Sequence, residues 1–320
     1  MIKKILAFGT LSFCALAMAQ DAYPSKPITL LVPNPPGGLV DTSARLLSEP
    51  LSRISGQNVV VDNRAGGSGN VAYQAVARAK PDGYTLLISY SAYHVGNPAL
   101  TPSLPWDPVK DFAPVALLTV ATNVFAVHPS VPATNLTEFI AYAKQNPGKL
   151  NYASQGTGSL SHIGTEIFKQ QTGTFMTHIP YRGSGPAVQD VLSGQVQVFI
   201  TTPPSVMGHV QAGKLKAFAV TGEKRSPQLP QIPTTTEAGL PGFKLEAWVA
   251  LFAPAGTPPD VIAKLTADVK RSLELPEVKT RADAAGIELR YQGPAALAAL
   301  VKSDLAYWSK TIKSAGIKAD

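Results

Sequence analysis

The stretch Ile28-Thr29-Leu30-Leu31-Val32-Pro33-Asn34-Pro35-Pro36-Gly37-Gly38, followed by Leu46, Leu47 and Leu51, decides the fold. A short apolar run bounded by prolines reads as a buried parallel strand. The proline- and glycine-rich turn stops it, and the leucine spacing predicts a helix over 41–54. The same order recurs downstream. A strand over 58–62, a loop at 65–70 and a helix over 71–79 lead to a third strand over 84–89, announced by Pro81-Asp82-Gly83.

The pattern restarts with a strand over 151–154, a loop at 155–159 and a helix over 160–171. A strand over 175–179 then loops through Arg182-Gly183-Ser184-Gly185 into a helix over 186–193. Strands over 196–201 and 215–220 follow. Strands alternating with helices predict an α/β protein of mostly parallel sheets flanked by helices, and two halves on one plan predict two lobes. Proline-rich connections at 101–132 and 226–241 separate the halves. The expected lobes are 20–122 plus 246–320 and 123–245, with crossings at 120–127 and 245–252 and tail helices on the first lobe. Two crossing strands form a hinge that permits closure.

The chain starts with a cationic head, Lys3-Lys4, an apolar stretch to Leu16 and then Ala17-Met18-Ala19. That is the pattern of an export leader spanning 1–19, too short for a permanent bilayer span. Phe13 is too bulky for lipidation at Cys14. Cleavage after Ala19 removes Cys14, the sole cysteine, so no disulfide or thiolate chemistry is expected. It also leaves a net charge of (28 − 2) − 21 = +5. Lys and Arg are scattered, so no nucleic-acid partner is expected, and a monomer is.

Three loops at predicted strand ends are rich in glycine and hydroxyls. They are Pro36-Gly37-Gly38 with Asp41, Gly66-Gly67-Ser68-Gly69, and Ser154-Gln155-Gly156-Thr157-Gly158-Ser159. In open α/β sheets such loops border the ligand crevice. Each places freed helix-start N–H groups beside residues that admit a close approach, which suits anions. One such loop is as well explained as a capped turn, but three in matched lobes point to a site. By the same topology Thr201 and the segment Ser89, Tyr90, Ser91, Tyr93, His94 fall at the cleft. Tyr90, Tyr93 and His94 either line a pocket or cover a sheet end. His162 either faces the cleft or caps its helix, His178 suits a core position, and Asp190 reads as structural.

Nucleotide and hydrolase signatures fail, since Ser161 stands where a third glycine belongs and Asn70 breaks Gly-x-Ser-x-Gly. The histidines lack metal-ligand spacing. Neither cofactor nor metal is expected, and no catalytic constellation is present to support a periplasmic hydrolase or isomerase.

The segments Tyr23-Pro24-Ser25-Lys26-Pro27-Ile28, Pro36-Gly37-Gly38-Leu39-Val40-Asp41, Val61-Asp62-Asn63-Arg64-Ala65-Gly66-Gly67-Ser68-Gly69 and Lys80-Pro81-Asp82-Gly83-Tyr84-Thr85 resemble the tripartite tricarboxylate transporter receptors, or Bug proteins. So do Ser154-Gln155-Gly156-Thr157-Gly158-Ser159, His178-Ile179-Pro180-Tyr181-Arg182-Gly183 with Pro186, Ala187 and Asp190, and Phe252-Ala253-Pro254-Ala255-Gly256-Thr257-Pro258. The resemblance spans the mature chain. It implies a two-lobed periplasmic binding protein of the Venus-flytrap type (type II-like) that delivers a small carboxylate to membrane permease subunits. It also implies that Pro36, Gly37, Gly38 and Asp41 in one lobe, with Ser154, Gly158, Ser159 and Ala187 in the other, hold the ligand through backbone groups and water. The aromatic segment Ser89–His94 and the shifted glycines at 65–69 depart from the family pattern and bear on ligand choice. A sensor or adaptor for a signalling partner is the alternative in a different class. The leader reading predicts that protein from the periplasm begins at Gln20 without lipid, as intact-mass measurement will show. A chain retaining Lys3, or a diacylglycerol on Cys14, contradicts it.

Overall fold

The computed structural model describes residues 23–101, 103–314, 316 and 317, so the expected leader and its cut lie outside the described residues. β1 (Ile28–Val32) turns into α1 (Leu39–Ser55), followed by β2 (Val59–Asn63), α2 (Asn70–Ala77), β3 (Thr85–Tyr90), α3 (Asn97–Leu100) and the long β4 (Phe112–Thr122). The chain then passes into β5 (Val124–Val127), α4 (Leu136–Gln145), β6 (Asn151–Ser154), α5 (Leu160–Thr172) and β7 (Thr177–Pro180). Next come α6 (Ser184–Leu192), β8 (Val198–Thr201), α7 (Pro203–Gln211) and β9 (Lys216–Val220). It returns through β10 (Glu246–Pro254) to α8 (Pro259–Leu273), α9 (Pro276–Ala284), β11 (Glu288–Gln292) and α10 (Pro294–Ser314).

Two sheets result, ordered β11-β4-β10-β3-β1-β2 and β7-β6-β8-β5-β9. Strands such as β8, whose residues are all buried, carry helices on both faces and have no polar side to show. β1 runs parallel to β2 and β3, and β6 parallel to β7 and β8. The antiparallel pairs all involve β4, β5, β10 or β11. Their register explains why. The start of β5, Val124, pairs with the end of β8, Thr201. The first half of β10 likewise pairs with the end of β3, Val249 against Tyr90. A strand arriving from the other sheet therefore enters at the edge facing that sheet and runs away from it. The parallel strands run toward that edge, so the carboxyl ends in the two sheets face one another.

The crossings are cross-linked at three residues. The backbone N–H of Asn123 donates to Thr221 Oγ1 (2.8 Å), and Asn123 Nδ2 to the carbonyl of Leu245 (3.0 Å). Thr221 Oγ1 donates to the same carbonyl (2.5 Å), and its N–H to the carbonyl of Asn123 (2.9 Å). Asn123 thus breaks the expected continuous crossing into two strands, β4 and β5, each belonging to its own sheet. Four elements have no counterpart in the sequence-based expectation: α3, α4, α7 and β11. α7 opens on Pro203-Pro204, which looks like a breaker but suits a first helical turn, where no N–H is needed. β11 carries Glu288 and Arg290 and is only half-buried, so its apolar alternation is weak.

Candidate functional site

The turn between β1 and α1 is shaped by one carboxylate. Asp41, on the first turn of α1, accepts from the backbone N–H of Gly37 (3.0 Å), from Arg45 Nε (3.0 Å) and from Asn63 Nδ2 (3.0 Å). Burial alone would raise its pKa, but the bonds from Arg45, Gly37 and Asn63 prevail and hold the carboxyl below its usual range. This stabilisation is present above the ordinary carboxyl pKa and is lost only as the pH falls through the depressed one. Asn63 also donates to the Asn34 carbonyl (2.9 Å), tying the end of β2 to the turn. Gly37 sits at φ +95°, a conformation that disfavours side chains. Gly38 is extended, at φ −102°, and caps α1 without any side-chain acceptor. Thr42 N–H bonds the Gly38 carbonyl (2.9 Å), and among the described residues no side chain caps the N–H groups before it.

The facing lobe presents a second such start. Gly183 (φ +101°) precedes α6, again with no side-chain cap. Only Ser184 and Gly185 offer free amides there, because Pro186 has none. These two helix starts nearly touch. A Cβ on Gly38 would stand 2.9 Å from Ser184 Oγ, and one on Gly183 would stand 2.7 Å from Pro35 Cγ. Between them lies a small cavity of ≈ 10 Å³, lined by Asn34, Pro35, Gly38, Leu39, Val40, Tyr90, Gln155 and Ser184. Gln155 Nε2 donates to Ser184 Oγ (2.9 Å) and Thr201 Oγ1 (3.2 Å), leaving both hydroxyl hydrogens available. No lysine or arginine is among the lining residues. A larger groove of ≈ 1110 Å³ lies beside the hinge, along 221–228 and 286–290. Glu223, Glu246 and Glu288 alternate there with Lys224, Lys244 and Arg290, so the groove favours no charge.

Residues 43–317 match the family described as the tripartite tricarboxylate transporter family receptor. The chain belongs to that receptor family. Among solved structures, R. palustris Rpa4515 with adipate is 36% identical with a TM-score of 0.90, covering 92% of this chain and 99% of its own. The periplasmic binding protein BugD is 33% identical with a TM-score of 0.89, covering 93% and 100%. MatC of Rhodopseudomonas palustris, with bound malate, is 35% identical with a TM-score of 0.86, covering 91% and 100%. The match to the BugD binding protein runs over both α/β lobes of this receptor.

The other sequence-predicted residues of the receptor fall into three groups. Ser68, Thr157 and Gly158 meet across the lobes. Ser68 Oγ donates to the Thr157 carbonyl (2.7 Å), Asn97 Nδ2 donates to the Ser68 carbonyl (2.8 Å), and Gly158 packs against Asn97. Ser68 holds φ +53°, the one positive φ of a non-glycine among the described residues. Gly67 (φ +54°) and Gly69 (φ +87°) flank it in the left-handed region.

Behind the second-lobe loop, Ser159 caps α5 and donates to the Gly156 carbonyl (2.6 Å). His162 Nδ1 accepts from the Gly158 N–H (3.2 Å), and its ring stacks on His178 at 4.2 Å. Ser154 Oγ meets His178 Nε2 (2.6 Å). These side chains brace the loop rather than line the cavity.

A third group is placed in the interior. His94 is fully buried, bonded to Ser89 Oγ (3.1 Å) and the Pro108 carbonyl (3.0 Å) and stacked on Phe252. Burial pushes it down to about 3, against the Pro108 bond, so the ring is neutral. Ser91 Oγ accepts from the Trp248 N–H, and Ala187 packs in the second-lobe core. Arg182 is exposed, and Pro36 flanks the turn without lining the cavity. Tyr181 takes Asp190 as its partner (2.7 Å), a structural role for that carboxylate. Of the aromatic segment, Tyr90 reaches the cavity and Tyr93 stands behind it. Sequence reasoning missed Asn34, Pro35, Leu39, Val40, Gln155 and Ser184. Their signal was a position within three residues of a flagged glycine.

The Ser68–Thr157 contact ties the lobes without touching the cavity. Ser68→Ala should raise ligand off-rates by about three- to tenfold, the range of one neutral hydrogen bond, with on-rates unchanged. Stopped-flow binding measures both, and an unaltered off-rate contradicts the tie.

Proposed function

We propose that this receptor is exported to the periplasm, closes its lobes on a small dicarboxylate and hands it to the membrane permease of its transport system. The observation that carries the reading is the pair of uncapped helix starts, α1 at Gly38 and α6 at Gly183, converging on one cavity from opposite lobes. Free helix-start amides and the positive ends of two helix dipoles favour an anion. With no cationic side chain among the lining residues, recognition rests on hydrogen bonds from backbone and hydroxyl groups. The adipate bound to Rpa4515 and the malate bound to MatC support this class of ligand. No reaction is proposed, since the cavity holds no base and nucleophile in contact. Export is supported by the leader pattern and by the likeness to BugD. Among the described residues no helix is long and apolar enough to cross a membrane.

The cavity is far smaller than the few hundred Å³ usual for a small-molecule site. Entry therefore requires the lobes to part about the Asn123, Thr221 and Leu245 hinge, and closure follows. Carboxylate capture by helix starts is separable from capture by a cation. Gly38→Val sets methyls against Ser184 and should weaken dicarboxylate binding by more than a hundredfold. Arg182→Ala should stay within tenfold, below the ~1.5–3 kcal/mol of a hydrogen bond to a charged group. Calorimetry with succinate, malate and adipate, on variants checked by circular dichroism, decides. A hundredfold loss in Arg182→Ala with Gly38→Val unaffected sinks the proposal.

A further inference from the structure

Asn34 lies on the cavity wall, is 7% exposed, and leaves Oδ1 without a hydrogen-bond partner. Its side chain has one bond, a long one from Nδ2 to the Tyr93 hydroxyl (3.3 Å). The fold does not need that amide to shape the turn. The Asn34 backbone is already held through its carbonyl by Asn63, and the turn is held by Asp41 on Gly37. Tyr93 is fixed independently. Its ring lies under Gly69, where a Cβ would come within 2.5 Å of Cδ2, and it meets Tyr90 edge-to-face at 5.2 Å. A buried polar arm with no structural duty and a rigid support points at a ligand group.

Tyrosine hydroxyls both donate and accept, so Tyr93 can hold either end of the amide. Turning the amide exchanges a free carbonyl oxygen for a free NH₂ at the cavity. In both settings one arm faces the ligand and needs a partner. A methylene there strips the arm of water and returns nothing. A hydroxyl satisfies it in either setting, because it too donates and accepts.

We infer that Asn34 is a specificity-determining residue that selects a hydroxylated dicarboxylate over its unsubstituted counterpart. This rests on the cleft between α1 and α6 being the carboxylate site. The carboxylate oxygens take the helix-start amides and the Ser184 hydroxyl, and the hydroxyl on the adjoining carbon takes the free arm of Asn34. The Tyr93 support explains why that arm keeps its aim.

Malate and succinate differ by that one hydroxyl, and calorimetry on the wild type and Asn34→Ala compares them. The wild type should bind malate about tenfold more tightly, the scale of one buried polar arm left unpaired. In Asn34→Ala the preference should fall below about twofold, with succinate affinity kept or improved. Asn34→Leu, close in shape and without the amide, should unfold at a temperature equal to or above the wild type's when no ligand is added. Equal affinities in the wild type, or a malate preference that survives the substitution, overturn the role of Asn34 while leaving the cleft as a dicarboxylate site. A marked loss of thermal stability in Asn34→Leu shows a structural duty and also overturns it. Absence of binding by both acids to the wild type removes the dicarboxylate reading and this inference with it.

Discussion

The Asp41 carboxylate, gripping Gly37, Arg45 and Asn63 at once, is the constraint on which the receptor's site depends. An aspartate in the first turn of a helix commonly serves the helix itself. Here it reaches back past the cap to the turn, and so leaves the first-turn amides of α1 uncovered. The same bond holds Gly37 in its left-handed conformation and sets Asn34 and Pro35 on the cavity wall. Arg45 neutralises the aspartate from outside the cavity, which keeps its negative charge from opposing an anion. The site is thus electropositive without presenting a cation.

That arrangement acts only when the second lobe supplies its half. The alignment is built into the strand directions, because the crossing strands enter each sheet at the cleft edge and the parallel strands end there. Contacts between the lobes are individually modest: Ser68 on Thr157, and Gly38 and Pro35 against Ser184 and Gly183. Modest contacts suit a reversible clamp. A ligand that binds only the closed form can shift such an equilibrium by its differential affinity. Asn123, Thr221 and Leu245 meanwhile hold the crossings together through the movement.

Much of this was legible in the sequence. The strand at Ile28–Val32 and the helix at Pro259–Leu273 announce themselves because their burial is periodic or complete. The glycines at 37, 38, 156, 158 and 183 mark the loops because close approach and positive φ leave few other choices. Sheet order was less legible. Nothing local to β10 says that it pairs with both β3 and β4, since that follows from the crossings. Side-chain direction was the least legible. Ser89 lies near the end of β3 and His94 follows it, yet the chain turns there through Ala92–Gly96 and sends His94 inward to Phe252. Asn34 carries no motif and Gln155 sits unremarked inside a glycine-rich loop, and only the meeting of two lobes sets both on one cavity.

The central claim is that backbone amides at two opposed helix starts hold the ligand carboxylate. Amide proton and nitrogen shifts of isotope-labelled receptor, followed as malate is added, test it directly. The account predicts the largest downfield proton shifts at Leu39, Val40, Ser184 and Gly185, saturating together. Shifts centred instead on Arg182, or on the groove at 221–228, with those four amides unmoved, would contradict it.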